Sequence, residues 1–289
     1  MTKPLLFAHK AIEWFSWDKD KLKGFDYVEL DVRKTKDDVL VVSHDRSIKN
    51  RIHRILVDTH SYIEIKQKTG IALPRLREVV NELNGKVKFN LDLKQEGMIS
   101  DIVKFVSHHK LEDQIMLDSF SHEELYILSQ VLPQAKLTYS FNYADRRGLF
   151  SHKTIRLIGY LAFFIFRPLW PRLVKVMANR KPFVPAASIY WRAVNPGVVD
   201  FFHKRNIPVY TFPVESQKVF KKMLELKVDG IKTSNPELIQ GKALYVRQHA
   251  EEDLALSCAK VLKPGFKTFC QLAIYQLWVG GFDTIDLKL

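Results

Sequence analysis

Nine short apolar runs, alternating with amphipathic stretches over the first 233 residues, constrain this chain more than any other feature. They are Leu5–His9, Tyr27–Val32, Val39–His44, Val87–Lys94, Ile115–Phe120, Lys136–Phe141, Ala186–Trp191, Pro208–Val214 and Asp229–Thr233. Each has the length of a strand rather than a helix. Stretches such as RLREVVNEL and HEELYILSQVL lie between them and carry helical periodicity. Such alternation predicts an α/β protein with parallel strands, and so many units in one domain predict a (β/α)8 barrel. Nine runs exceed eight strands by one. Only RKTKDD separates the second run from the third, whereas a parallel crossover takes roughly a dozen residues or more. That pair is therefore expected as an antiparallel hairpin in an irregular TIM barrel.

Two regions break the rhythm. Residues 145–182 form an insertion rich in aromatics and Leu, with nine Arg or Lys residues among them. Beyond Leu238 a tail of about 50 residues starts charged and ends apolar. The expected organisation is one barrel domain over 1–240, containing the insertion, and a helical extension over 241–289. The insertion reads either as a lid or helical hairpin on the barrel mouth, or as a segment that dips Leu, Phe and Trp into a membrane while Arg and Lys meet acidic headgroups.

Composition excludes several classes. Hydrophobic residues are 46% and charged residues 27%, which is globular rather than disordered. The longest clean apolar run, Leu157–Phe166, is short of the roughly 20 residues a membrane span needs. The N-terminus has no signal-peptide pattern. Cys258 and Cys270 both lie in the tail without a zinc-type grid. They are expected as free thiols in a reducing cytoplasm, with a disulfide between them as the other reading. The expected location is cytoplasmic, with peripheral membrane contact as an option. A net charge of +13 favours anionic partners such as phosphate substrates or acidic lipid surfaces. No nucleic-acid recognition motif accompanies that charge, and no such partner is expected.

The chemistry concentrates at the ends of the early strands, where barrel enzymes place their catalytic groups. Glu29 and Asp31 share one strand face against Val28, Leu30 and Val32. Asp92 and Lys94 share a face with Asn90 against Phe89, Leu91 and Leu93. Three carboxylates converging in one mouth repel one another unless a cation sits among them, and oxygen-only ligation suits Mg2+ or Ca2+ rather than zinc. Lys94 beside a metal is a phosphate-binding arrangement. His9 and His44 end neighbouring strands and supply acid–base groups. Asp45 reads as an orienter or turn residue.

These segments resemble, in order, the glycerophosphodiester phosphodiesterase family. AHK is similar to its AHRG opening, and FDYVELDVRKTKDDVLVVSHD to its core signature of an E-x-D pair, a turn and a strand ending in HD. ALPRLREVV, FNLDLK, DSF, VYTFPV and VDGIKTSNPELI resemble its later segments, so the likeness covers residues 5–239 apart from the insertion. The resemblance implies His9 and His44 as general acid and base and Glu29, Asp31 and Asp92 as ligands of one divalent cation. It implies Lys94, Lys10 and Phe212 as phosphate or substrate contacts. It further implies attack by a substrate hydroxyl on phosphorus, giving a cyclic phosphate that water opens. The substrate would be a small glycerophosphodiester, split into an alcohol and glycerol phosphate.

This chain departs from the pattern in places. Lys10-Ala11 replaces Arg-Gly, Asp92 replaces Glu and Phe212 replaces Trp. The interval from His9 to Glu29 is only 20 residues. The short interval and the D-x-K spacing are similar to the sphingomyelinase D branch of the superfamily. A lysophospholipase D or sphingomyelinase D-like enzyme at a membrane surface is accordingly one alternative, and a non-catalytic lipid-binding barrel a second.

Overall fold

The computed structural model describes residues 3–14, 19–50, 52, 54–83, 85–141 and 167–239. All nine expected runs are strands: β1 Leu5–Ala8, β2 Tyr27–Lys34, β3 Leu40–Val42, β6 Lys88–Leu93, β7 Ile115–Ser119, β8 Lys136–Phe141, β9 Ala187–Tyr190, β10 Val209–Phe212 and β11 Gly230–Thr233. Eight of them, all but β3, are parallel and close into a barrel in the order β1-β2-β6-β7-β8-β9-β10-β11, with β11 returning to β1. β3 pairs antiparallel with β2, as the short link required. The turn between them is held locally: the Thr35 hydroxyl donates to Asp37 Oδ1 at 2.6 Å and accepts from the Val39 N–H at 3.1 Å. β2 outruns β1, so one edge of β2 carries β1 beside Tyr27 and Val28 and then β3 beside Val32 to Lys34. The hairpin thus raises one wall of the mouth.

Among the described residues the helices are α1 Ala11–Trp14, α2 Tyr62–Thr69, α3 Leu76–Leu83, α4 Ile99–His109, α5 His122–Val131, α6 Trp170–Asn179, α7 Pro196–His203 and α8 Gln217–Glu225, with short 3-10 turns. Helix α3 shows why they pack outside. Leu76, Val79, Val80 and Leu83 fall at helical spacing and are buried in the same apolar layer as Val28, Leu30 and Val32 of β2. A second hairpin, β4 Ser47–Lys49 with β5 Arg54–Leu56, escaped the sequence reading. Its strands are three residues each and carry charge, so no alternation marks them.

The last part of the expected insertion is described. There α6 buries Trp170 and Val174 in the main core and leaves Leu173 and Val176 exposed. Residues 145–166, the tail 241–289 and both cysteines lie outside the described residues. Among the described residues no helix is long and apolar enough to cross a membrane.

The barrel interior is layered. Its floor is apolar: Phe7, Tyr27, Met116, Ala186 and Tyr210 form one buried cluster. Phe7 stacks on Tyr27 with ring centroids 5.1 Å apart and leans on Tyr210 at 5.3 Å. Gly230 makes room for both rings, since a Cβ there would stand 2.6 Å from Tyr210 and 2.8 Å from Phe7. Above this floor the same strands carry charge.

Candidate active site

Register brings the charged side chains together. In the parallel pair β2–β6, Glu29 lies beside Asn90 and Asp31 beside Asp92; in β6–β7, Asp92 lies beside Asp118. Side-chain alternation turns all five into the barrel. Oxygen atoms of Glu29, Asp31 and Asp92 come within 4.8 Å of one another, and all three residues are buried. Lys94 reaches this group from its own strand end, with Nζ 3.0 Å from Asp31 Oδ1 and 2.6 Å from Asp92 Oδ2.

Burial and crowding set the protonation. Burial raises the Asp92 carboxyl, and neighbouring Asp31 and Glu29 add to this against Lys94, pushing it up to about 6. Burial also opposes the charge on Asp31, but Lys94, with His44 and Lys10, outweighs it and holds that carboxyl well below the usual range. Burial raises Glu29 as well, against the pull of Lys232. Burial disfavours the Lys94 ammonium, yet Asp31 and Asp92 raise its pKa above the ordinary lysine value. Three carboxylate donors this close, with Asp31 and Glu29 raising Asp92, fit a hard divalent cation, whose charge would relieve that repulsion.

His9 follows β1, and its backbone N–H continues the β1–β11 pairing by donating to the Thr233 carbonyl at 2.9 Å. Its ring lies between Ser234 Oγ, 3.1 Å from Nδ1, and Glu29 Oε2, 3.6 Å from Nε2. Burial, reinforced by Lys10, lowers its pKa well below the usual value, so the imidazole is neutral and its approach to Glu29 is not an ion pair. Lys10 meets Glu29 through its main chain. Its backbone sits in the left-handed region at φ 48° and points the N–H at Glu29 Oε2, 3.0 Å away. Its ammonium is 4.0 Å from Glu13 Oε1.

His44 follows β3 and is anchored from two sides. Asp45 Oδ1 lies 2.9 Å from its Nδ1. A carboxylate only accepts, so Nδ1 carries the proton and, in the neutral ring, Nε2 is left as the acceptor. Buried Arg33 donates to the His44 carbonyl from Nε and Nη2, at 3.3 and 2.9 Å, and to the Lys94 carbonyl from Nη1 at 3.1 Å. One guanidinium therefore fixes the two loops that carry His44 and Lys94.

A cavity of about 540 Å3 opens onto this cluster. Lys10, Glu29, Asp31 and His44 line it, together with the aliphatic Ile12 and Ile48. Phe212 ends β10 and packs on Tyr190, their ring centroids 6.5 Å apart. Sequence reasoning passed over Arg33, Asp118, Ser234 and Lys232. The signal for the last was a lone lysine in the apolar strand GIKT, and for Asp118 a lone acid in IMLDS; only register shows that the two meet.

Comparison with known proteins agrees with the barrel fold and shows the family. Residues 16–238 match the model of the glycerophosphoryl diester phosphodiesterase family. A glycerophosphodiester phosphodiesterase of Bacillus altitudinis is 26% identical over 273 residues, covering 86% of this chain and 99% of that protein. The crystal structure of a glycerophosphodiester phosphodiesterase from Agrobacterium tumefaciens superposes with a TM-score of 0.56 at 20% identity, covering 83% of this chain and 99% of the other. An Oleispira antarctica phosphodiesterase, solved with the product sn-glycerol-3-phosphate, superposes with a TM-score of 0.59 at 17% identity, covering 82% and 96%. With the match extending over most of its length, this chain belongs to the glycerophosphoryl diester phosphodiesterase family and is an enzyme of that kind.

Proposed function

We propose that the chain hydrolyses small glycerophosphodiesters to an alcohol and glycerol phosphate, with His9 and His44 as its acid–base pair. The observation that carries this reading is the buried Glu29, Asp31 and Asp92 cluster, with His9 beside Glu29 and His44 lining one cavity with Glu29 and Asp31. Glu29, Asp31 and Asp92 would hold one divalent cation, which when bound neutralises charge on the phosphoryl oxygens. Lys94 and Lys10 bring positive charge to the phosphate. One histidine takes the proton of the substrate hydroxyl as that oxygen bonds to phosphorus. The other protonates the departing alcohol oxygen as the second P–O bond breaks. The product of that step is a cyclic phosphate, and water opens it with the two histidines in exchanged roles. Asp45 serves His44 by fixing its tautomer.

The Oleispira relative's product is the one this reading assigns here. The test is product analysis by phosphorus NMR on glycerophosphocholine, before and after chelation. Glycerol phosphate formed only with Mg2+ or Ca2+ supports the reading; no turnover with either metal overturns it. The aliphatic wall of the cavity, Ile12, Ile48 and the partly exposed Ile71, favours a second reading. On that reading the glycerol phosphate half of the substrate carries an acyl chain, as in a lysophospholipid, and the headgroup alcohol departs. Turnover of lysophosphatidylcholine in the same assay decides between them. Peripheral contact with an anionic membrane remains a proposal for the basic segment 145–182, tested by its removal and vesicle sedimentation.

A further inference from the structure

Directly beneath the acid cluster lies a polar tier that the proposed chemistry does not use. Lys232, on β11, is buried to 1% exposure inside the barrel. Its ammonium has three acceptors on three other strands. These are Glu29 Oε1 on β2 at 3.3 Å, Asn90 Oδ1 on β6 at 2.9 Å, and Asp118 Oδ2 on β7 in close contact. An ammonium has three N–H donors, so this set uses all of them. The acceptors are themselves tied down. Asn90 Nδ2 donates to Asp118 Oδ1 at 2.9 Å. Below, the Phe7 ring centroid is 5.5 Å from Nζ, which closes the underside with the apolar floor.

The network ends at one functional atom pair. Glu29 Oε1 is held by Lys232 from below, and Glu29 Oε2 by the Lys10 N–H at 3.0 Å from the side. A carboxylate held at both oxygens has one orientation, and the remaining lone pairs then face the neighbouring acids. We propose that Lys232, locked by Asp118 and Asn90, is a positioning residue that aims Glu29 at the metal. This rests on the reading that Glu29, Asp31 and Asp92 hold a divalent cation. Outer partners of metal ligands act in this way, and their loss typically weakens metal affinity by roughly 10–100-fold.

The sign of the effect separates positioning from plain electrostatics. Removing a positive charge beside a cation site would, by Coulomb's law alone, tighten cation binding. Positioning requires the opposite. Mg2+ and Ca2+ binding to the full chain is measured by titration calorimetry for the native protein, Lys232→Met and the double variant Lys232→Met/Asp118→Asn. The double variant removes one charge of each sign, which spares the fold an uncompensated buried carboxylate and decides the matter if the single variant does not fold. The expected result is affinity lower by roughly 10–100-fold in both variants, with the native melting behaviour kept in the double variant. Native or tighter affinity in Lys232→Met, or native affinity in the double variant, overturns the positioning role and leaves the metal reading intact. A native protein that binds neither cation overturns the metal reading itself.

Discussion

The floor and the mouth of the barrel interior are built by the same strands and do opposite work. On β2, Tyr27 joins the aromatic floor, while Glu29 and Asp31, on the same face, belong to the charged cluster. On β7, Met116 lies in the floor and Asp118 in the polar tier above it. The floor gains from removing apolar area from water, about 25 cal/mol per Å2. The mouth does the reverse: it buries charges at a cost that Lys94 and Lys232 offset in part. Stability and chemistry are thus separated along the barrel axis by two positions on a strand, Tyr27 to Glu29 and Met116 to Asp118.

That separation predicts where substitutions act. The largest expected effect is at the mouth. His44→Ala should lower kcat/KM by roughly 10²- to 10⁴-fold, the usual contribution of a general acid or base, while the melting temperature stays close to native. His44 is partly exposed, and its ring is paired with the adjacent Asp45. Steady-state kinetics beside calorimetry measure both, and a large loss of stability would erase the contrast between mouth and floor.

At the floor the effect should fall on stability. Gly230→Ala places a Cβ within 3 Å of Tyr210 and Phe7, and overpacking of this kind costs about 1–3 kcal/mol. Urea unfolding measures it. A neutral result would mean that the two rings shift freely and that the floor is looser than its stacking shows.

The rim should respond least. Arg46 holds Asp58 bidentately outside the barrel, at 2.7 to 3.1 Å. The hydrogen bonds from Arg46 lower the Asp58 pKa, against its partial burial. A carboxyl lowered in the folded state adds stability above its unfolded value of about 3.9, and that stability fades as pH falls through the folded value. Asp58→Asn should therefore cost less than about 1 kcal/mol at neutral pH, and nothing near pH 2. Paired thermal melts across pH test the sign; a difference that grew on acidification would refute it.

Much of the fold was legible in the chain. Among the described residues, hydrophobic spacing located nine of the eleven strands, and the length of RKTKDD identified β2–β3 as a hairpin. The helices α3 and α5 follow the amphipathic stretches RLREVVNEL and HEELYILSQVL closely. The β4–β5 hairpin was not legible, because three-residue strands carry no period to count. At the site, Glu29, Asp31, Asp92 and Lys94 announced themselves as charge on otherwise apolar strands, and the structure brings all four together. Lys10 was legible as a side chain, while its backbone N–H, turned onto Glu29 by a left-handed conformation, was not legible.

By itself the sequence determined which residues face each side of every strand, since alternation is a local property of the chain. It determined that acids and histidines would collect at one end, because they follow or close the strands they belong to. Only the tertiary structure decided which charges meet. Lys232 reaches Glu29 across 203 positions of sequence and Asp118 across 114, contacts that depend on closure of the barrel and on strand register. Register arises from the packing of the whole sheet, and no single segment encodes it.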